Sequence, residues 1–189
     1  MDWYVVDKKY INYLTQFDSR VGYVEYGERL KLHVGILLTI GDFHYYVPIF
    51  SAKPKHQKMF NSLDFHKLQD ESTGYLYAVL NINNMIPVPD NCLTQLKYNQ
   101  VESFRSFSNE KEKTDYVYLL QKEKALIDNV QDTLQSKALK LYQKCIAKPD
   151  SSLAARCCNF KMLEEKCSSY SDTESMKLFL QNNVYKVLL

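Results

Sequence analysis

The chain has 189 residues, is 46% hydrophobic and carries a net charge of +2. That is enough to bury one sizeable core without disulfide staples, and too little overall charge to announce a nucleic-acid binder, because affinity for phosphates comes from local clusters of cations. Its five cysteines, Cys92, Cys145, Cys157, Cys158 and Cys167, form no CxxC pair, and adjacent thiols suit one tetrahedral zinc poorly, so they read as reduced, mostly buried side chains.

The start, MDWYVVDKKY, lacks the basic first stretch and apolar middle of a signal peptide, and no apolar run approaches the roughly 20 residues of a membrane span. The expectation is a soluble, cytoplasmic protein with no membrane association and a single domain over 1–189, β-rich over 1–90 and helical over 100–182. WYVV predicts a first strand, and Asp7 can cap a short helix in which Tyr10, Ile11 and Leu14 lie about one turn apart. After a polar loop, KLHVGILLTI alternates: Leu32, Val34, Ile36, Leu38 and Ile40 fall on one face, Lys31, His33, Gly35, Leu37 and Thr39 on the other. Gly41 and Asp42 then suit a two-residue type II′ hairpin, which places Phe43, Tyr45, Val47 and Ile49 on the aliphatic face.

Counting back from that turn pairs Leu32 with Ser51 and Lys31 with Ala52. Pro48 cannot donate a ladder hydrogen bond, so a bulge between Pro48 and Ser51 is expected, turning Ser51 toward Lys31. Further strands are expected at SLDFHKL (62–68) and YLYAVLNI (75–82), then a proline-limited MIPVP (85–89). From about Glu110 the apolar period changes to that of helices, with two long helices followed by a shorter one capped by Asn159 and a last one behind Asp172. The fold class is α+β: a small, strongly curved antiparallel sheet or barrel with several surrounding helices.

The chemistry-bearing stretch is SAKPKHQK, where Lys53, Lys55, His56 and Lys58 crowd together just past the end of an apolar strand. Signatures for nucleotide loops, zinc proteases and serine hydrolases are missing, and the four histidines, His33, His44, His56 and His66, show no metal-ligand spacing; no metal or cofactor is expected. RNA carries its own nucleophile, the 2′-hydroxyl, so cutting it without a metal needs only proton transfer, alignment and stabilisation of a crowded phosphorane. Lysine, tyrosine and serine can supply all three. The competing reading of the same loop is a solvated charge run, and the abundant tyrosines and phenylalanines serve cores and base-stacking platforms alike.

Five stretches in order, MDWYVVDKKYINYL, KLHVGILL, YYVPIFSAKPKH, MIPVP and CNFKMLEEK, resemble the ToxN/AbiQ family of endoribonuclease toxins of type III toxin–antitoxin and phage abortive-infection systems, from Met1 to about Tyr170. The resemblance implies a core similar to the MazF-like toxin barrel. It also implies metal-independent cleavage of A-rich RNA to a 2′,3′-cyclic phosphate and a 5′-hydroxyl, with active-site positions at Tyr10, Lys31, Ser51 and Lys53. Tyr26, His33, Phe50, Lys55, His56 and Lys58 are the further RNA-contacting candidates. Phe50 stands where the family often has a threonine, and its ring can be a stacking surface or a core side chain.

The implied partners are cellular or phage RNA and an RNA antitoxin, a repeated pseudoknot cut from its precursor by the toxin, in a closed assembly of three proteins and three RNAs. A second RNA face is expected on the helical half, around Lys111, Lys113, Lys122 and Lys124. Two readings stay open beside this one: a noncatalytic RNA-binding module, and a MazF-like toxin held by a protein antitoxin. The segment 171–189 carries no readable function.

Overall fold

A computed structural model describes residues 1–22 and 32–170. The chain opens with β1 (Asp2–Val6), and the Asp7 carboxylate accepts the Lys9 N–H at 2.6 Å to start α1 (Lys8–Thr15), which buries Tyr10, Ile11 and Leu14 as their spacing predicts. A long hairpin follows, β2 (Leu32–Ile40) and β3 (Phe43–Ser51). Its turn is the expected one, with Ile40 opposite Phe43, Gly41 at φ +54° and no positive φ at Asp42. A single turn, α2 (Pro54–Gln57), leads to β4 (Phe65–Gln69), β5 (Leu76–Asn81), β6 (Ile86–Pro87) and β7 (Leu93–Gln95). β7 carries no strong alternation of its own; it forms as an edge against β1, with Val6 opposite Leu93.

Among the described residues the strand order is β4-β5-β3-β2-β1-β7, with β6 also paired to β3. Every pairing is antiparallel. The two ends, β4 and β7, do not pair with each other, so this sheet is open and not the closed barrel allowed for in the sequence reading. β5 and β6 run along β3 as one interrupted neighbour: β5 pairs with Ile49 to Ser51, β6 with Tyr45 and Tyr46, and a 3₁₀ turn at Ile82–Asn84 fills the gap. Pro48, which has no N–H to offer, lies where that neighbour changes.

The register departs from simple counting. Near the turn it holds through Leu38 opposite Tyr45, but farther along Val34 faces Val47 and His33 faces Pro48, so β2 carries two extra residues between Val34 and Leu38. The irregularity therefore lies in β2, not between Pro48 and Ser51. Its effect on side chains is direct: Ile36, expected inside, is 38% exposed, whereas Leu37 is fully buried. Gly35 sits in this irregular stretch because Tyr46 occupies the space beside it; a Cβ on Gly35 would fall 2.1 Å from the Tyr46 ring.

The helices are α3 (Glu110–Asn129), α4 (Gln131–Ala147), α5 (Ser152–Ala155) and α6, helical over 160–170. Asn159 caps α6 as expected, its side chain accepting the Met162 N–H. One contiguous cluster, from Trp3 through Tyr45, Val47 and Leu80 to Leu134, Leu141 and Phe160, joins sheet and helices. All five cysteines are buried, and none forms a disulfide among the described residues. At its centre the Glu164 carboxylate of α6 accepts hydroxyl hydrogen bonds from Tyr45 on β3 at 2.9 Å and Tyr142 on α4 at 2.7 Å, and pairs with Lys161 at 2.9 Å. A buried charge is tolerable there because three donors surround it. No helix among the described residues is long and apolar enough to cross a membrane.

Candidate active site

The basic stretch forms the junction between β3 and α2. Ser51 is the last residue of β3, exposed, and pairs with Ala78 of β5. It is not opposite Leu32, as direct counting from the turn had it. The next ladder step is the Ala52 N–H donating to the Tyr77 carbonyl at 3.4 Å, after which the chain turns into α2 with Pro54 in its first turn. Lys53, Lys55 and Lys58 are exposed, and no carboxylate among the described residues pairs with them.

His56 does something the sequence did not show. Its backbone N–H donates to the Lys53 carbonyl at 2.8 Å while its Nδ1 accepts the Lys53 N–H at 3.1 Å, so the imidazole closes the turn onto Lys53. The ring is buried and lies 5.9 Å from the Phe65 ring. Burial, then the charges of Lys55 and Lys53, lower its pKa below the usual histidine value. A neutral ring that keeps a lone pair on Nδ1 is what this bond requires. His56 thus braces Lys53 from a buried position.

The other candidates divide by depth. Tyr10 is fully buried, its hydroxyl donating to the Pro87 carbonyl at 2.7 Å and its ring in edge contact with Tyr170 at 5.0 Å. Burial above all, with Cys167 next, drives its pKa far upward. His33 is also buried, in β2 between Tyr4 and Pro48. Phe50 is half-buried in a small satellite cluster with Phe65, Leu76, Val79 and Ala52. Tyr26 and Lys31 lie outside the described residues; the chain leaves at Gly22, whose Cβ position would be 3.8 Å from the Phe50 ring, and returns at Leu32.

The lysines expected to form a second face are largely occupied. Lys111 pairs with Asp115, Lys113 with Glu102 and Glu110, and Lys124 with Asp128 and Asp2, while Lys122 sits 5.3 Å above the Tyr118 ring. Between β4 and the end of α3 a cavity of about 500 Å³ is lined by His66, Lys67, Asp70, Glu71, Leu126 and Asn129 among others. Its mixed charge makes it a poor phosphate site, and Ser51 does not line it. Among the described residues no cluster of three or more His, Cys, Asp or Glu could hold a metal ion.

Sequence reasoning missed an aromatic group beside the junction. Tyr75, 61% exposed, and Tyr77, half-buried, meet at 4.6 Å between ring centroids, edge to face, and Phe60 past α2 is 89% exposed. The signal was present in YLYAVL, where two tyrosines stand two residues apart at the start of β5.

A serine, three lysines with no carboxylate partner among the described residues, and exposed aromatic rings where a strand meets a helical turn suit a flexible polyanion, as nucleic-acid enzymes do. The family model for the toxin ToxN of type III toxin–antitoxin systems matches residues 2–168, and the chain belongs to that family. It is similar to endoribonuclease AbiQ of Lactococcus lactis subsp. lactis, 28% identical over 89% of this chain and 88% of the relative. Endoribonuclease ToxN of Bacillus thuringiensis subsp. kurstaki is 29% identical over 93% and 87%. The fold matches a solved type III toxin structure that concerns selective toxin inhibition by a non-coding RNA pseudoknot, with TM-score 0.76, 28% identity and 90% and 97% coverage. It also matches AbiQ, a lactococcal anti-phage endoribonuclease, with TM-score 0.75, 26% identity and 90% and 98% coverage. The chain is an endoribonuclease toxin of the type III class.

Proposed function

We propose that this toxin cleaves RNA without a metal at the β3–α2 junction, by attack of the substrate 2′-hydroxyl on the adjacent phosphate. The 2′-oxygen forms a bond to phosphorus as the bond to the 5′-oxygen breaks. The 2′-proton passes to a base, and the departing oxygen takes one up, leaving a 2′,3′-cyclic phosphate and a 5′-hydroxyl. The observation that carries this is the exposed Ser51 two residues ahead of an exposed Lys53 whose backbone is fixed by the His56 imidazole. An ammonium group and a hydroxyl suit a phosphorane that carries extra negative charge; an ammonium has no lone pair for a metal, so the chemistry here is electrostatic. Lys53 stabilises that charge, Ser51 orients the phosphate, and Lys55 and Lys58 hold flanking phosphates. Lys31 joins them by family resemblance. Tyr10 acts through position, its hydroxyl tying α1 to β6.

A-rich RNA is the proposed substrate class, on the same resemblance. The inhibitor is an RNA antitoxin, a pseudoknot that the toxin cuts from repeats and retains; the relative inhibited by an RNA pseudoknot favours this over a protein antitoxin. Three proteins and three RNAs close the assembly. In EDTA the purified protein should cut RNA to cyclic-phosphate ends, and Ser51→Ala and Lys53→Ala should each fold normally and lose cleavage. A folded Ser51→Ala protein with full activity would remove Ser51 from the site, and uncut RNA with the wild type would leave only the noncatalytic binder.

A further inference from the structure

We infer that Tyr75, held edge to face by Tyr77, is a stacking platform for one unpaired nucleobase next to the phosphate at Ser51; this rests on the nuclease reading above. Its position follows from the ladder. Tyr77 precedes Ala78, the partner of Ser51, and its carbonyl accepts the Ala52 N–H, so the tyrosine pair borders the junction on the side of β5. A ribose-phosphate chain crossing Ser51 and Lys53 has its bases within reach of these rings.

The platform is also rigid where it needs to be. The β4–β5 turn is tied by the Asp70 carboxylate, which accepts from the Ser72 N–H at 2.8 Å, the Ser72 hydroxyl at 2.6 Å and the Thr73 N–H at 3.1 Å. Gly74, at φ +70°, donates its N–H to the Asp70 carbonyl at 2.8 Å, and its own carbonyl accepts from the Gln69 side chain at 2.7 Å. Tyr75 itself is fixed through both backbone groups: its carbonyl takes the Asp70 N–H at 2.9 Å and its N–H reaches the Thr73 hydroxyl at 3.3 Å. Backbone locked and ring 61% open to solvent is an arrangement that packing does not require. A large ring with few rotatable bonds, set in advance, binds a base at small entropic cost.

Unpaired RNA is the occupant because the neighbouring exposed side chains, Lys53, Lys55 and Lys58, complement phosphate and no carboxylate among the described residues offsets them. A protein segment would find an isolated ring pair beside uncompensated charge.

The test uses a fluorescent, fully 2′-O-methylated A-rich oligonucleotide, which this chemistry cannot cut, and follows binding by anisotropy. Tyr75→Ala should weaken binding by roughly tenfold, within the range for loss of one base–aromatic stack, and Tyr75→Phe should stay within about twofold of wild type because the ring face carries the effect. An oligonucleotide with one abasic position should bind wild type as weakly as the intact one binds Tyr75→Ala, with no further loss when both are combined. Equal affinity of Tyr75→Ala and wild type for the intact oligonucleotide overturns the platform, whether or not the protein cuts RNA. Wild type that binds it with this Tyr75 dependence yet leaves unmodified RNA whole keeps the platform and overturns the nuclease reading. Wild type that does not bind it overturns the platform, and the nuclease reading falls with it when unmodified RNA also stays whole.

Discussion

Two sets of lysines in this molecule look alike in sequence and differ in what surrounds them. On α3, Lys111, Lys113 and Lys124 each meet a carboxylate, at 2.5, 3.0 and 2.8 Å. At the β3–α2 junction, Lys53, Lys55 and Lys58 meet none among the described residues. Exposed ion pairs contribute little to stability, so the α3 pairs matter mainly because they neutralise that face. On the function proposed above, the junction charge is left for RNA phosphates. Counting cations therefore locates a phosphate site less well than subtracting the carboxylates beside them.

The contrast can be broken most directly by activity. Lys53→Ala should lower kcat/KM for RNA by about 100-fold or more, the usual scale for removing one group that stabilises developing charge, while Lys113→Ala should stay within about twofold of wild type. Equal losses would erase the distinction. Next in size is a charge of a third kind, the buried Glu164. Glu164→Ala leaves the Tyr45 and Tyr142 hydroxyls without their acceptor and should cost on the order of 2 kcal/mol in urea unfolding; a loss below a few tenths would show that its three donors do little for the core.

A smaller and sharper effect lies in salt dependence. For an uncleavable single strand, each phosphate contact removed should flatten the slope of log K against log salt by about 0.7. Lys55→Ala and Lys58→Ala should each show this change, and Lys111→Ala should show none. The smallest effect is the pH response of the brace. Because the His56 pKa is lowered in the fold, the native state binds fewer protons than the unfolded chain, and its contribution to stability is complete above the ordinary histidine value of about 6.5. It is lost as pH falls through the lower folded value. His66, pushed down to about 4 by burial and Lys137, adds its own loss at more acid pH. His56→Ala should remove the upper part of this acid slope, read from urea midpoints across pH; an unchanged slope would show that the imidazole does not titrate as described.

How much of this was legible depends on which local rule each residue obeys. The hairpin at Gly41 and Asp42, the cap at Asp7 and the buried face of α1 were readable because one short-range preference sets each. The far part of β2 was not, since two-residue alternation has no means of announcing two extra residues; Gly35 inside the strand was the warning, and Tyr46 is its cause. Ser51 and Lys53 were found by resemblance and lie together at one exposed junction. His56 was chosen for its lysine neighbours, which say nothing of the local hydrogen bond to Lys53 that its buried ring makes. β7 depends wholly on its pairing with β1, which no window of LTQ reveals.

The change of neighbour along β3 divides mechanical responsibility within a single strand. Up to Pro48 the strand is held by the long hairpin with β2, but Ile49, Phe50 and Ser51 are laddered to β5, and so to the compact β4–β5 ribbon. The end that carries Ser51 therefore inherits the stiffness of that ribbon and its Asp70-tied turn. Strengthening or loosening this small hairpin tunes the alignment of Ser51 while the main core stays as it was, a local adjustment built into the order of the strands.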